Sequence, residues 1–406
     1  MIAIFTLDYK TMQFADRLNN VHTSAIREIF KLLGRPGIIS FAGGFPDPAL
    51  FDIEAIREAT NQALGEGAGA VLQYGPTEGW PALKEAIAKH MAGKGITVQA
   101  DGLITTTGSQ QALDLIGKTM INPGDKVIVE GPTFLATIQC FRLYGADLVS
   151  APIDADGVKV DELEKLIIQH KPRFVYLIPT FGNPSGAMLT LARRKRILAL
   201  AAQHQVLVVE DDPYGELYFG AAPPLSMMAL SKDVPGSRDY LAYCGSFSKV
   251  LSPGLRVGWM IAPPELLAKS TMCKQFSDAH TSNLSQAIAA NYLALNRLDN
   301  ALSVVRQTYA LRAQTMADCL KRELGDALTY SQPQGGMFFW TRLTGAGGKP
   351  QDATAFAKRA PDHGVAFVPG APFFATHADE ATLRLSYATS DLAKIEEGVK
   401  RLAQAL

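Results

Sequence analysis

Short runs of apolar and β-branched residues recur through the first two thirds of the chain, separated by segments with helical spacing. The runs lie near Leu103, Val127, Leu148, Phe174, Val206, Leu241 and Val257. A helical pattern from about residue 110 to residue 122 separates the first two runs. Strands that alternate with helices in this way are typical of a largely parallel sheet covered by helices on both faces. The pattern therefore predicts an α/β fold.

A different pattern follows in the last quarter of the chain. Residues 297–324 are rich in Ala, Arg and Leu and carry apolar positions at helical spacing, which predicts a long connecting helix. Strand-like runs come after it, at residues 336–340, 365–368 and 382–387. We therefore predict a large domain over residues 67–296 and a smaller α/β domain over residues 297–406.

Composition narrows the classes of function. The 406 residues carry 39 basic and 39 acidic side chains. The chain contains no run of basic residues of the kind that would predict binding to nucleic acid or to an anionic membrane. No apolar stretch approaches the length of a membrane span. The 4 cysteines and 7 histidines are scattered and suggest neither a disulfide framework nor a metal site. These features indicate a reduced, cytoplasmic protein that acts on small molecules.

The strongest chemical signal lies in residues 245–258. Lys249 follows Ser246 and Ser248, and Arg256 comes seven positions after the lysine. An amine can form a Schiff base with an aldehyde, while two hydroxyls and a guanidinium are the donors that a phosphate dianion needs. Lysine near serine is common by chance, so the motif gains weight from the rest of the chain. With that support it predicts a site for pyridoxal phosphate.

The pyridine nitrogen of this cofactor needs a carboxylate that keeps it protonated. Asp211 follows the apolar run at residues 206–209, at the carboxyl end of a predicted strand, where ligands of open α/β sheets bind. Glu210 and Asp212 compete for the role. The spacing from Asp211 to Tyr214 favours Asp211, because Tyr214 then offers a phenol to the cofactor's O3′ oxygen.

Other strand ends offer further cofactor contacts. Asn183 lies in an Asn-Pro turn and can donate its amide to O3′, although such a turn also has a purely structural explanation. Ser109 and Gln110 stand where a β-branched strand becomes a helix, so backbone N–H groups and the positive helix end can face the phosphate. Phe134, after another strand, could stack on the pyridine ring, but core packing is the commoner reason for such an aromatic.

Arg384 lies inside an apolar strand pattern, where a guanidinium must be paired or face a cleft. A structural ion pair and a substrate contact are the two explanations.

Taken in their order along the chain, these motifs resemble those of the fold-type I, class I/II aminotransferases that depend on pyridoxal phosphate. The match spans nearly the whole chain. Residues 39–48 and 72–76 are most similar to the group that contains 2-aminoadipate, kynurenine and broad-specificity aromatic or branched-chain aminotransferases. The resemblance implies a large domain with a mostly parallel mixed sheet flanked by helices. It also implies that the N-terminal segment, residues 1–66, joins the smaller domain.

The resemblance assigns substrate roles as well. Arg384 is implied to bind the α-carboxylate of the amino acid, with Asn183 and Gly44 nearby. Arg27, on a helix predicted over residues 24–33, is implied to pair with the distal carboxylate of 2-oxoglutarate or an acidic amino acid. A solvated arginine on a helix surface is the alternative for Arg27.

Tyr74 resembles a residue that crosses a subunit interface to reach the partner's cofactor phosphate, which implies a homodimer with shared sites. A packed aromatic before a turn is its alternative explanation.

The implied reaction is a ping-pong transfer of an amino group from an L-amino acid to a 2-oxo acid, with 2-oxoglutarate expected as acceptor. Lys249, Asp211 and Tyr214 are the expected catalytic residues. A β-lyase or decarboxylase of the same fold is an alternative, since fold does not determine reaction. A regulator with an aminotransferase-like effector domain is another, but we expect too few residues before Gly43 to hold its helix-turn-helix domain.

Overall fold

A computed structural model describes residues 14–18, 36–344 and 351–406. Its strands within these ranges are β1 (Ile39–Ser40), β2 (Leu103–Thr106), β3 (Lys126–Gly131), β4 (Asp147–Asp154), β5 (Gly157–Val158), β6 (Phe174–Leu177), β7 (Leu207–Asp212), β8 (Leu241–Ser246), β9 (Gly258–Ile261), β10 (Leu328–Tyr330), β11 (Phe338–Leu343), β12 (Val365–Ala366), β13 (Val368–Pro369) and β14 (Thr382–Ser386).

Helices connect and cover these strands. They are α1 (Ile53–Ala63), α2 (Ala68–Val71), α3 (Pro81–Gly93), α4 (Ser109–Met120), α5 (Leu135–Leu143), α6 (Val160–His170), α7 (Leu191–His204), α8 (Met227–Leu230), α9 (Pro264–Ser277), α10 (Asn283–Ala294), α11 (Leu298–Leu324), α12 (Ala353–Arg359) and α13 (Leu392–Ala405). None of the helices described combines the length and apolarity needed to cross a membrane.

The central sheet has 8 strands in the order β2-β9-β8-β7-β6-β3-β4-β5. The pairs β8–β7, β7–β6, β6–β3 and β3–β4 are parallel, whereas β9 is antiparallel to both of its neighbours and β5 to β4. Every residue of β6 and β7 is buried, as expected for strands covered on both faces. The predicted α/β fold with a mostly parallel mixed sheet is confirmed.

The C-terminal part forms a second sheet of 4 strands in the order β10-β11-β14-β13. All of its pairs are antiparallel. The run predicted at residues 365–368 is two short strands rather than one, because β12 pairs with β1 while β13 pairs with β14. The run predicted at 336–340 begins later, at Phe338, and continues to Leu343.

The strand expected before Asp211 is longer than predicted. It begins at Leu207 and includes Asp211 and Asp212, which pair with Cys244 and Gly245 of β8. The β8 partner therefore keeps the acidic residues in an extended conformation, with consecutive side chains on opposite faces of the sheet.

The N-terminal segment contacts both parts of the molecule. Strand β1 pairs in parallel with β12 of the C-terminal part. Helix α1 lies beside α10, where Asn291 Nδ2 donates to Ala59 O at 3.2 Å. The boundaries at residues 66 and 296 stay predictions.

Gly258, at the start of β9, leaves no space for a side chain. A Cβ there would lie 2.7 Å from the carbonyl carbon of Gly108 and 2.8 Å from Ser109 N. These are backbone atoms, so side-chain rotation cannot relieve the contact. We expect Gly258→Ala to lower the free energy of unfolding by about 1–3 kcal/mol, measured from the urea midpoint of the cofactor-free protein.

Gly93→Ala, at the end of α3, is the matched control. A Cβ at Gly93 would meet no heavy atom within 4 Å in the described chain. Its midpoint should stay the same or rise slightly, since alanine favours helix. Equal midpoints for the two variants would contradict the tight contact at Gly258.

Candidate active site

Three consecutive carboxylates end strand β7, and their hydrogen bonds distinguish them. Glu210 accepts backbone N–H groups on both oxygens, from Met227 and Met228 at 2.8 Å each. Asp212 accepts from Gly215 N at 3.0 Å on Oδ1 and from Tyr243 at 2.9 Å on Oδ2. All four oxygens of these two side chains therefore have partners.

The side chain of Asp211 points to the other face of the sheet, and only one of its two oxygens has a hydrogen-bond partner among the residues described. Its Oδ2 accepts from Tyr176 OH at 2.8 Å, while Oδ1, fully buried, has no hydrogen-bond partner among the residues described. Burial raises the pKa of Asp211 to about 7, against the lowering effect of the Tyr176 hydrogen bond. A cationic ring nitrogen beside Oδ1 would supply the missing partner and favour the ionised carboxylate.

Lys249 lies in the segment after β8. Its Nζ donates to Gly44 O at 2.9 Å. Burial, together with the positive charges of Arg384 and Arg256, lowers the pKa of Lys249 to about 8. More of the amine is therefore neutral near physiological pH than in an ordinary lysine, and the neutral form is the nucleophile.

The turn before α4 forms a cradle for an anion. Gly108 has φ 78°, and a Cβ there would lie 2.6 Å from Arg256 Nη2. Arg256 itself adopts a left-handed conformation, φ 55°, and donates from Nη2 to Thr107 O at 3.1 Å. The guanidinium thus lies against the first residues of the helix, whose N–H groups and dipole favour an anion.

Two hydroxyls complete this end of the site. Ser246 Oγ and Ser248 Oγ are 2.9 Å apart, and Ser248 N donates to Ser246 Oγ at 3.1 Å. The hydroxyls, the helix end and Arg256 are the donor set predicted for a phosphate.

Arg384, on β14, is buried and joins separate parts of the chain. Its Nη1 donates to Asn183 Oδ1 at 2.7 Å and its Nη2 to Ala42 O at 2.8 Å. The guanidinium also lies 4.2 Å from the ring centre of Phe338. Its partners are neutral, so the structural ion pair considered from the sequence is not formed among the described residues. Desolvation lowers the pKa of Arg384 to about 10, which leaves it charged at neutral pH.

Tyr214 occupies the space between these groups. It is buried, its hydroxyl lies beside Asn183, and the charges of Arg384 and Asp211 act on it. Burial raises the pKa of Tyr214 well above its usual value, so the phenol stays protonated and can donate to a ligand oxygen.

Pyridoxal phosphate fits this set of groups. Asp211 Oδ1 is a buried acceptor in need of a partner, Tyr214 is a protonated donor, Lys249 is an amine with a lowered pKa, and the Gly108 turn leaves a cradle that a Cβ would fill. Each group matches one functional part of the cofactor: ring nitrogen, O3′, aldehyde and phosphate.

Other predicted site residues lie at the margin. Gln110 is exposed in the first turn of α4, and Phe134 precedes α5 and is partly buried. Gly44 lies beside Arg384, since a Cβ on it would be 3.8 Å from Nη1. Tyr74 is 84 % exposed, so within this chain its ring contacts little beyond the edge of His280. Arg27 lies outside the described residues.

The sequence analysis missed Tyr176 and Phe338. Both occupy strand positions that look like ordinary core, and the only available signal was the hydroxyl of Tyr176, which needs a partner when buried. Phe338 faces both Arg384 and Tyr214, with its ring centroid 6.0 Å from that of Tyr214.

The sequence analysis also missed a polar network behind the phosphate cradle. Lys274 of α9 is fully buried and donates to Gln111 Oε1 at 2.9 Å and to Asp278 Oδ1 at 2.8 Å. Asp278 Oδ2 in turn accepts from Gln111 Nε2 at 2.7 Å and from Thr107 Oγ1 at 3.0 Å. The network connects α9 to the turn that holds Arg256.

Comparison with known proteins identifies the family of this chain. A family model described as aminotransferase class I and II matches residues 37–402. The chain is 44 % identical to a 2-aminoadipate transaminase of Thermus thermophilus, covering 97 % of this chain and 96 % of that protein. It is 39 % identical to aromatic-amino-acid aminotransferase 1 of Thermococcus litoralis, covering 99 % and 95 %.

A solved structure is similar as well. It is an α-aminoadipate aminotransferase from Thermus thermophilus, complexed with N-(5′-phosphopyridoxyl)-L-leucine. The TM-score is 0.89 at 42 % identity, and the match covers 97 % of both chains.

The raised pKa of Asp211 predicts that the cofactor-free wild type and its Asp211→Asn variant differ in stability by an amount that depends on pH. Between pH about 4, its usual pKa, and about 7, the folded chain holds a proton that the unfolded chain has released, so folding stability falls as pH rises. Asparagine cannot ionise. The stability of Asp211→Asn relative to wild type should therefore grow from pH 5 to pH 8, by a few kcal/mol at most.

Urea midpoints of both proteins at several pH values measure this difference. Asp154→Asn is the control, because the hydrogen bond from Arg193 lowers the pKa of Asp154 and its effect is already complete above pH 5. Its difference from wild type should be constant over the same range. A constant difference for Asp211→Asn as well would contradict the raised pKa.

Proposed function

This chain belongs to the class I and II aminotransferases, and on that premise we propose that its donors are aromatic, branched-chain or 2-aminoadipate-like L-amino acids. We propose 2-oxoglutarate as the acceptor. The enzyme uses pyridoxal phosphate. The relatives named for 2-aminoadipate and aromatic amino acids support this range of donors.

One observation carries the proposal: a buried guanidinium and an amine of lowered pKa share one site. Arg384 is close enough for its charge to lower the pKa of Lys249. An amino acid needs both groups, the first for its carboxylate and the second at its amino end. Arg384 Nε, which has no partner within the described part of the chain, is free to bind a carboxylate oxygen.

Bound pyridoxal phosphate supplies an aldehyde that accepts amines and a ring that takes up the electron pair released at Cα. Lys249 Nζ would hold the cofactor at its aldehyde carbon and would give that place to a substrate amine. The freed Nζ can then take the Cα proton as a base, because its pKa of about 8 lies near the working pH. The same Nζ would hold that proton and release it again as an acid.

The remaining side chains orient the substrate and hold the cofactor. Arg384 and Asn183 fix the carboxylate, which sets the direction of the bond from Cα to its hydrogen. Asp211 Oδ1 would accept from the ring nitrogen, and Tyr214 would donate to O3′. The second half-reaction runs through the same groups in reverse with a 2-oxo acid, which gives ping-pong kinetics.

We also propose that the enzyme is a cytoplasmic homodimer with shared active sites. Asn283 Nδ2 donates to Gln73 O at 2.8 Å, so the segment before Tyr74 is anchored to α10 while the phenol points outward. Leu72, two residues before Tyr74, is 67 % exposed, and Phe276, four residues before His280, is 82 % exposed. A second copy would cover these apolar side chains. All four cysteines are unpaired, in keeping with a reducing compartment.

A donor screen tests the reaction. The holoenzyme is mixed with 2-aminoadipate, phenylalanine, kynurenine or leucine, with and without 2-oxoglutarate, and pyridoxamine phosphate is followed spectroscopically. We expect sustained turnover only with the oxo acid, and none with Lys249→Ala. Turnover without any 2-oxo acid would favour the β-lyase or decarboxylase.

Arg27→Ala extends the screen to specificity. We expect weaker use of 2-aminoadipate and 2-oxoglutarate and unchanged first half-reactions with leucine and phenylalanine, because only the dicarboxylic substrates have a distal charge to pair. Equal losses for both classes would mean that Arg27 has a structural role.

Mixing two inactive variants tests the shared site. In a mixed dimer of Tyr74→Ala and Lys249→Ala, action of Tyr74 across the interface leaves one site with neither defect. Activity should therefore rise above that of either parent after subunit exchange. No gain, with exchange confirmed and Tyr74→Ala severely impaired by itself, would show that Tyr74 acts within its own subunit. A fully active monomer on sizing would exclude sharing.

A further inference from the structure

Tyr176 forms the only hydrogen bond that the described chain makes to the Asp211 carboxylate. Its hydroxyl donates to Oδ2 at 2.8 Å, and both residues are buried. Tyr176 lies on β6, whose register with β7 pairs it with Val209, two residues before Asp211. The bond therefore spans two adjacent strands of the rigid central sheet.

We propose that Tyr176 is a positioning residue that holds the Asp211 carboxylate with Oδ1 directed at the cofactor's pyridine nitrogen and favours its ionised form. The inference rests on the proposed role of Asp211. A carboxylate whose second oxygen is fixed in this way cannot rotate to exchange its oxygens. A hydrogen bond to the charged form also stabilises that form.

The environment keeps Tyr176 a donor. Burial, and then the negative charge of Asp211, raise the pKa of Tyr176 far above its usual value, so the phenol stays protonated. Its ring is held in turn by an edge contact with Phe141 at 5.9 Å. The titratable groups that act on this pair from the surrounding elements are Glu130 on β3, Cys244 on β8, Asp212 on β7 and Tyr214.

The same sheet contains a matched control. Tyr243, on β8, is equally buried and donates to Asp212 Oδ2 at 2.9 Å. Asp212 lies on the opposite face of β7 from Asp211. Tyr243→Phe therefore removes the same hydroxyl from the same kind of bond, but away from the cofactor.

The test compares two cofactors that differ at one atom. Dissociation constants for pyridoxal phosphate and for its 1-deaza analogue, in which carbon replaces the pyridine nitrogen, are measured for the wild type and for Tyr176→Phe, Tyr243→Phe and Asp211→Asn. We expect Tyr176→Phe to weaken pyridoxal phosphate binding about tenfold, which is the size of one charge-assisted hydrogen bond. The dissociation constant of the analogue should stay unchanged. Tyr243→Phe should change the two constants equally.

Turnover gives a second measurement. Tyr176→Phe should lower kcat about tenfold, leave KM nearly unchanged and move the acidic limb of the pH profile upward, because the Asp211 carboxylate then protonates more readily. In the Asp211→Asn background the same substitution should cause no further loss. If Tyr176→Phe does not fold, 3-fluorotyrosine at position 176, a stronger donor, should move the acidic limb downward instead.

The outcomes separate the two hypotheses. If Asp211→Asn discriminates between the cofactors but Tyr176→Phe does not, the positioning role is wrong and the role of Asp211 stands. If Asp211→Asn does not discriminate, the assignment of Asp211 fails, and the inference fails with it. An unmoved acidic limb with 3-fluorotyrosine would also count against Tyr176.

Discussion

Arg384 is 3 % exposed, and a buried charge must find hydrogen-bond partners or destabilise the fold. Its partners come from two distant segments, Asn183 after β6 and Ala42 near the N-terminal end of the described core. The C-terminal sheet, the central sheet and the N-terminal segment are thereby held around one cation. The rings of Phe338 and Phe373 also pack against that cation, with their centres 4.2 and 5.1 Å from it, and its charge acts on both Lys249 and Tyr214.

Strand β7, in contrast, buries acidic side chains. Consecutive side chains alternate between faces, so Glu210 and Asp212 lie on one side of the sheet and Asp211 on the other. Backbone N–H groups, Tyr243 and Lys94 occupy the oxygens on the first face. On the second face, Tyr176 is the one partner that the described residues give to the Asp211 carboxylate. Burial raises the pKa of Asp211, and a cationic ring nitrogen beside the unpaired oxygen would favour the ionised carboxylate.

The anion cradle depends on a similar arrangement of buried polar groups. Lys274, Asp278 and Gln111 form a closed set of hydrogen bonds, and Thr107 belongs to it through its side chain. The carbonyl of the same Thr107 accepts from Arg256. Movement of α9 would therefore shift the residues that form the cradle. Gly108 and Gly258 allow the backbone and the guanidinium to approach closely enough for this contact.

The sequence by itself determined the α/β class, the mostly parallel sheet and the kinds of group that form the site. The sequence predicted Lys249 with its serines, Asp211 with Tyr214, and Asn183 as site residues because residue type and short spacing specify local backbone and chemistry. The spacing to Tyr214 favoured Asp211 over its acidic neighbours, but only the tertiary structure showed the physical difference, an Asp211 oxygen without a hydrogen-bond partner among the described residues. Only the structure showed Tyr176 on Asp211, 35 positions away, and Lys274 on Gln111, 163 positions away. Such contacts depend on strand order and helix docking, which no local pattern of residues encodes.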